Sequence, residues 1–340
     1  MINEFRQDLV SGEWVLFSTG LAKKPVDKET TKDFYQPKEN CPFEKSRMLE
    51  ENPPILAYLN GQKLEIGPDF QGEFTVQVRK NKYPVLNTEA HSPVRERGPF
   101  KIFDPYGYHE LVITKDHDRT MADFSVSETT EVLRVYKERY LEIAKDDFIS
   151  YVSILHNHGP KAGASRYHNH SQIFGTPIIP PDVMSSLKGA ERYYKETGQK
   201  VHTVLMEWAA KEKKSIVHEN EAFICFCPFA SKTPYEVRIL PKVSNARFEE
   251  ISTEDLVLLG DILNNVLKKI SIALDKPDYN FYLHTAPISK KGESDYEYYH
   301  WHFEIIPRLF VTGGFELGTN IYINPVDPDS AAEKLRNTQI

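Results

Sequence analysis

Cysteine is scarce in this sequence. Cys41, Cys225 and Cys227 are the three in a chain of 340 residues, too few for a disulfide framework. No uninterrupted apolar run nears the roughly 18 residues that span a bilayer, so no membrane segment is expected. The opening Met1-Ile-Asn-Glu-Phe-Arg-Gln-Asp8 lacks the basic and apolar regions of a secretory signal, and a cytoplasmic location is expected. An excess of positive charge is also missing. Against 49 Asp and Glu stand 42 Lys and Arg, a net charge of −7, which argues against a dedicated nucleic-acid binder. Core material is plentiful: hydrophobic residues make up 40 % of the chain, with 18 Tyr and 19 Phe among them. That is enough for one large domain or two of about 170 residues.

Apolar periodicity predicts two long helices. The first is expected near Ser127 to Lys145, with Leu133, Tyr136, Tyr140 and Ile143 on one face. Ser125 with Glu128 reads as a capping box at its start. The second is expected near Thr253 to Leu274, with Leu256, Leu259, Leu263, Val266 and Ile270 on one face and Ser252 with Asp255 at its start. Their surroundings repeat. Glu110-Leu-Val-Ile-Thr-Lys115 precedes the first and Glu236-Val-Arg-Ile-Leu-Pro241 the second. After the first come Tyr151-Val-Ser-Ile-Leu-His156 and His168-Asn-His-Ser-Gln-Ile173. After the second come Asn280-Phe-Tyr-Leu-His284 and His300-Trp-His-Phe-Glu-Ile305. Strand, helix, strand, loop and a strand with His-x-His thus occur twice, the mark of an internal duplication. Such halves pack about a pseudo-twofold axis.

Elsewhere, Pro25 to Pro54 and Ser92 to Pro105 read as long loops. Gly175 to Pro181 reads as an exit strand or extended arm. Lys211 to Lys214 reads as a solvated helix face, Ser330 to Arg336 as a short terminal helix, and Cys225 with Cys227 as core.

Histidine marks the candidate site. His117, His156, His158, His168 and His170 cluster in one stretch of sequence. On an extended strand His168, His170 and Gln172 share a face. Gly159 and Gly163 let backbone approach a ligand, and Ala162, Ala164 and Ser165 leave room for a phosphate. An imidazole beside such a loop can attack phosphorus to give a phosphoramidate; it can equally ligate a metal. The second copy, His300-Trp-His302-Phe-Glu304, lacks the Gly-rich loop. The segment that corresponds to it, Pro287 to Glu297, is bulkier and acidic and would repel phosphates. Glu304 also replaces Gln, so only an acceptor remains there when it is ionised.

Gly163-x-Ser165-x-x-His168-x-His170-x-Gln172, preceded by Asn157-x-Gly159, resembles the active-site segment of the galactose-1-phosphate uridylyltransferase family, the duplicated, nucleotidyl-transferring branch of the histidine-triad superfamily. The resemblance extends to Gly12-Glu-Trp-Val-Leu16, Ala22-Lys-Lys-Pro25, Cys41-Pro-Phe43, Asp116-His117, and Gly314 to Thr319 with Tyr322-Ile-Asn324. It implies an α+β fold of two fused histidine-triad-like halves, each an antiparallel sheet with a long helix. Residues 1–185 would carry the nucleophile and 186–340 would support it. His170 matches the nucleophile, and Gln172, Asn157, Gly163 and Ser165 match phosphate contacts. Cys41, His117 and His168 match zinc ligands. Glu316 matches a sugar contact contributed across a homodimer interface.

The departures bear on specificity. Glu44 stands where the family's metal half-site has its second Cys, and it is the expected fourth zinc ligand. Lys200-Val-His202 replaces a further Cys-x-x-Cys of phosphorylase-like members. His284, His300 and His302 match three ligands of a different family metal site. Leu21 and Lys24 stand where some members have arginines that hold sugar phosphate, and Asn169 replaces a Pro. The implied reaction moves a nucleoside monophosphate from a nucleotide sugar to a sugar 1-phosphate through a nucleotidyl-His intermediate, as in UDP-glucose:hexose-1-phosphate uridylyltransferases. Two alternatives stay open. One is an ADP-sugar or dinucleoside-polyphosphate phosphorylase that uses inorganic phosphate, which the arm Pro177 to Pro181 favours; the other is a nucleotide hydrolase.

Overall fold

The computed structural model describes residues 2–23, 34–44, 53–67, 70, 72–89, 94–289 and 296–340. Lys24, Pro25 and most of the loop expected up to Pro54 lie outside the described residues, as do 290–295 of the second-copy loop. In chain order the strands are β1 (Asn3–Gln7), β2 (Trp14–Ser18), β3 (Leu56–Leu59), β4 (Gln62–Lys63), β5 (Val76–Lys80), β6 (Arg95–Arg97), β7 (Phe100–Ile102) and β8 (Tyr108–Thr114). They continue with β9 (Tyr151–His158), β10 (His170–Thr176), β11 (Ile216–Glu219), β12 (Phe223–Phe226), β13 (Val237–Pro241), β14 (Tyr279–His284), β15 (His302–Pro307) and β16 (Tyr322–Asn324). The helices are α1 (Val126–Ile143), α2 (Pro181–Thr197), α3 (Val201–Glu212), α4 (Thr253–Ala273), α5 (Gly314–Thr319) and α6 (Pro328–Asn337). No helix among the described residues is long and apolar enough to cross a membrane.

Eleven strands form one sheet in the order β11-β12-β13-β15-β14-β9-β10-β8-β5-β3-β4. Outward from the β14–β9 pair the two arms match: β9 corresponds to β14, β10 to β15 and β8 to β13. The repeated halves therefore join edge to edge, and their two antiparallel sheets run on into one. Asn280 pairs with Asn157 and Tyr282 with Leu155 across the junction. The two ends of the chain meet in a small separate sheet, where β16 pairs in parallel with β2.

Helices α1 and α4 cover one face. Ser125 accepts from the Glu128 N–H while the Glu128 carboxylate takes the Ser125 N–H, the reciprocal cap expected. Ser252 likewise accepts from the Asp255 N–H. The helices touch closely: a Cβ on Gly260 would lie 2.1 Å from Thr130 Oγ1. Asn264 of α4 donates to the Phe124 carbonyl at 2.8 Å. Leu133, Tyr136, Tyr140, Leu259, Leu263 and Val266 are fully buried beneath them, and Cys225 and Cys227 join that core. The arm after β10 is shorter than its prolines indicate, because α2 starts at Pro181, where the missing N–H costs nothing. Helix α3 stops at Glu212, and Lys213 caps it in the left-handed conformation, so the lysine run only partly lies on a helix.

Candidate active site and metal centre

The sheet face opposite α1 and α4 carries the site. Strand register puts Leu111, Gln172, Leu155, Tyr282, Glu304 and Arg238 in one row across five ladders, and directly paired residues share a face. His170, two residues before Gln172, lies on that face at the mouth of β10. It is nearly buried, at 7 % exposure. Its Nδ1 lies 2.8 Å from the His168 carbonyl. A carbonyl can only accept, so Nδ1 carries the proton and Nε2 keeps a lone pair. Burial pushes the His170 pKa down, outweighing the carbonyl contact that raises it. The balance leaves the neutral ring, with its lone pair on Nε2, the favoured form.

The Gly-rich segment runs beside it. Gly159 adopts φ +80°, and a Cβ there would sit 2.1 Å from Asp278 Oδ1. Gly163 adopts φ +81° and faces open space. Both require glycine, the first for contact and conformation and the second for conformation alone. Ser165 and Gly163 are exposed and Asn157 and Gln172 half-buried, so these candidate phosphate contacts are open to a ligand. Gln172 Oε1 lies 3.0 Å from His109 Nε2, a neighbour that sequence reading missed. His156, although part of the histidine cluster, faces the core: its Nδ1 lies 2.9 Å from Ser171 Oγ, which also accepts from Tyr136 at 2.5 Å.

Near His170, Cys41, Glu44, His117 and His168 converge, their ligand atoms all within 4.8 Å of one another. Cys41 Sγ lies 3.5 Å from His168 Nδ1. Glu44 Oε1 lies 3.6 Å from His117 Nδ1 and 3.7 Å from His168 Nδ1. Each imidazole gives its other nitrogen to a backbone carbonyl, His117 Nε2 to Gln36 and His168 Nε2 to Thr114, both at 2.6 Å. That fixes both protons on Nε2 and turns the Nδ1 lone pairs inward, the arrangement of metal-bound histidines. Glu44 Oε1 and His117 Nδ1 are buried without a hydrogen-bond partner among the described residues, which an ion between them would relieve. Burial raises the Cys41 thiol pKa, a cost that a bound cation would reverse. One sulfur, one carboxylate oxygen and two nitrogens form a set that fits zinc. Phe43, between Cys41 and Glu44 in sequence, packs edge-on against both His168 and His170, with centroids 5.7 and 5.1 Å apart. The candidate metal group and His170 thus share a wall.

The second candidate set is rearranged. His284 and His302 stack at 4.9 Å, and Glu304, not His300, completes a three-ligand group with them. His300 precedes β15, is fully buried and is not part of that group. Glu304 follows His302 by two residues, so strand alternation was the available signal. The group opens on a cavity of about 440 Å³ shared with Tyr282, Arg238 and Arg308. Glu316 lies on α5, where its carboxylate caps its own helix through the Gly313 N–H at 3.0 Å. No hydrogen bond among the described residues ties it to His170. Leu21 falls in a short 3-10 turn, Thr19–Lys23.

Comparison with known proteins agrees with this geometry. Residues 2–180 match the family model "Galactose-1-phosphate uridyl transferase, N-terminal domain" and residues 186–337 its C-terminal counterpart. The chain is 36 % identical to an ADP-glucose phosphorylase of Arabidopsis thaliana, over 99 % of this chain and 93 % of that protein. It is 27 % identical to a galactose-1-phosphate uridylyltransferase of Thermotoga maritima, over 99 % of each. A crystal structure of an Arabidopsis thaliana ADP-glucose phosphorylase with bound ADP-glucose superposes with a TM-score of 0.82 at 32 % identity, covering 100 % of both chains. The chain belongs to the galactose-1-phosphate uridyl transferase family of nucleotidyl-transferring enzymes.

Proposed function

We propose that this enzyme is a nucleotide-sugar phosphorylase that carries nucleoside monophosphate on His170, with an ADP-sugar such as ADP-glucose as donor and inorganic phosphate as acceptor. The observation that carries covalent transfer is the protonated Nδ1 of His170 at the His168 carbonyl, which leaves Nε2 as the nucleophile. Nε2 attacks the α-phosphorus, the bond to the sugar phosphate breaks, and hexose 1-phosphate leaves with its electron pair. The His168 carbonyl faces the positive charge that the ring gains. Phosphate oxygen then attacks the same phosphorus, the P–N bond breaks, and nucleoside diphosphate and neutral imidazole result. Sugar phosphate and imidazole are both good leaving groups, so the chain's task is positioning and charge stabilisation. Asn157, Ser165 and Gln172 would donate to the phosphoryl oxygens, and the left-handed Gly163 keeps that approach open.

The greater likeness to an ADP-glucose phosphorylase than to a uridylyltransferase favours phosphate over hexose 1-phosphate as acceptor. Leu21, where some relatives place an arginine for sugar phosphate, points the same way. We include zinc at Cys41, Glu44, His117 and His168; when bound it supplies a fixed charge that holds His168 and the Phe43 wall. Residues 1–185 would act as the nucleophile-bearing half and 186–340 as its support. Glu316 is turned to its own helix beside exposed Phe315 and Leu317, and it would meet a sugar only in a homodimer. Three free thiols suit a reducing, cytoplasmic setting.

The test is to incubate the enzyme separately with ADP-glucose and UDP-glucose, then add phosphate or galactose 1-phosphate. Intact-mass analysis should find an AMP adduct that phosphate discharges as ADP. A UMP adduct discharged only by the sugar phosphate would replace the phosphorylase reading with uridylyl exchange.

A further inference from the structure

We infer that Asn280 and Arg308, both from the second half, are positioning residues that dictate which atom Asn157 presents to the donor's phosphates. This rests on the proposed role of Asn157 as a phosphate contact. Asn280 is on β14, directly opposite Asn157 of β9, and is 2 % exposed. Arg308 Nε, which can only donate, meets Asn280 Oδ1 at 2.5 Å. At the other end Asn280 Nδ2 lies 2.8 Å from the Ala162 carbonyl, which can only accept. The two contacts fix the orientation of this carboxamide without ambiguity. Its remaining N–H points to Asn157 Oδ1 at 2.7 Å. Asn157 must therefore spend its oxygen on Asn280, leaving its NH₂ as the free end. An ionised phosphoryl oxygen is an acceptor, so the NH₂ end attracts it where the oxygen end would repel it.

The grip extends to the loop itself. The same Asn280 holds the Ala162 carbonyl within the 3-10 turn Pro160–Ala162. Asp278, two residues earlier, accepts from the Lys161 N–H at 2.6 Å. Arg308 is steadied through its own N–H on the Asp278 carbonyl, at 2.7 Å, and through Tyr282 Oη, at 3.2 Å. The second half thus sets donor polarity in the first half's site while touching no phosphate itself.

Asn280→Asp is isosteric and tests this, because a carboxylate still accepts from Arg308 but cannot donate to Asn157 or to the Ala162 carbonyl, and the Asn157 background below separates the two losses. Single-turnover labelling of His170 by ADP-glucose should slow about 100-fold, with the donor KM changed by less than about threefold, and Tm should fall because the carboxylate also loses the bond to the Ala162 carbonyl. Made in an Asn157→Ala background, the same change should cost at least about tenfold less than in the parent, since the path through Asn157 is already gone and only the Ala162 contact remains to be lost. Equal losses in both backgrounds would overturn the relay. Should Asn280→Asp fail to fold, Arg308→Met carries the same expectation, and Arg308→Lys, which restores a donor, should recover part of the rate. Hydrogen exchange of the Asn280 side-chain NH₂, followed by ¹⁵N NMR, needs no turnover. Slow exchange in the parent protein and fast exchange in Arg308→Met are expected, and fast exchange in both would overturn the relay. Failure of the parent protein to be labelled by either ADP-glucose or UDP-glucose would instead reject the proposed function, and the exchange measurement would still decide on the relay.

Discussion

Gln172 and Glu304 occupy equivalent places in one row across the sheet, parted by Leu155 and Tyr282 at the junction of the halves. The first half thus offers an amide donor where the second offers a carboxylate. Against the opposing effect of burial, Arg238 and His284 keep Glu304 ionised, so it can only accept and cannot donate to a phosphoryl oxygen as the Gln172 amide can. One nucleotide per chain is expected, on His170. His302→Ala should leave that labelling stoichiometry unchanged even if turnover falls. Two equivalents per chain, one of them on His302, would contradict the asymmetry.

Replacing His170, the proposed nucleophile, should be far more damaging. His170→Ala should lower turnover about 10⁴-fold or more and abolish the adduct, while circular dichroism stays that of the parent protein. Retention of the adduct mass in this variant would move the nucleophile elsewhere.

Metal content offers an independent check on the first half. Elemental analysis should find one zinc per chain. Cys41→Ala should lose it and cost about 2 kcal/mol or more of stability, read as a Tm fall of several degrees. Glu44→Cys should keep zinc and bind it more tightly against a chelator, thiolate being the better ligand. Fully active protein without zinc would show that the four residues hold together by hydrogen bonds alone.

A pH effect should appear at the start of α1. Hydrogen bonding from Arg119, with help from the Ser125 cap, holds Glu128 at about 2 against its ordinary 4.5. A depressed carboxylate stabilises the fold above its unfolded pKa and loses that effect as pH falls through the folded one. Glu128→Gln should therefore lower Tm at pH 7, by an amount equivalent to about 1 kcal/mol for so exposed a pair, and the difference should shrink steadily as pH falls from about 4.5 toward 2. A difference that persists undiminished at pH 2 would assign the effect to lost packing.

The duplication, the two capped helices and the strand that carries His170 and Gln172 were legible because each rests on local chemistry: a 3.6-residue period, a serine cap, a two-residue alternation. His168, expected on that strand, precedes β10 as His300 precedes β15. Cys41, Glu44, His117 and His168 were found from resemblance, since nothing local predicts that residues so far apart in sequence meet. The grip of Asp278, Asn280 and Arg308 on the loop was not legible at all. It depends on β9 and β14 pairing in one register, which no stretch of either strand encodes alone. His300 was misplaced for a related reason. It precedes β15 rather than lying within it, so strand alternation did not carry it to the face that His302 and Glu304 share.

The β9–β14 ladder also governs how this chain tolerates being cut. Severed between 176 and 181, each fragment would be left with a bare central strand, well-ordered and rich in unpaired backbone groups. Either piece produced alone should precipitate or self-pair through that edge. Produced together, they should find each other and regain the His170 labelling, because the strand each one lacks is the one its counterpart displays.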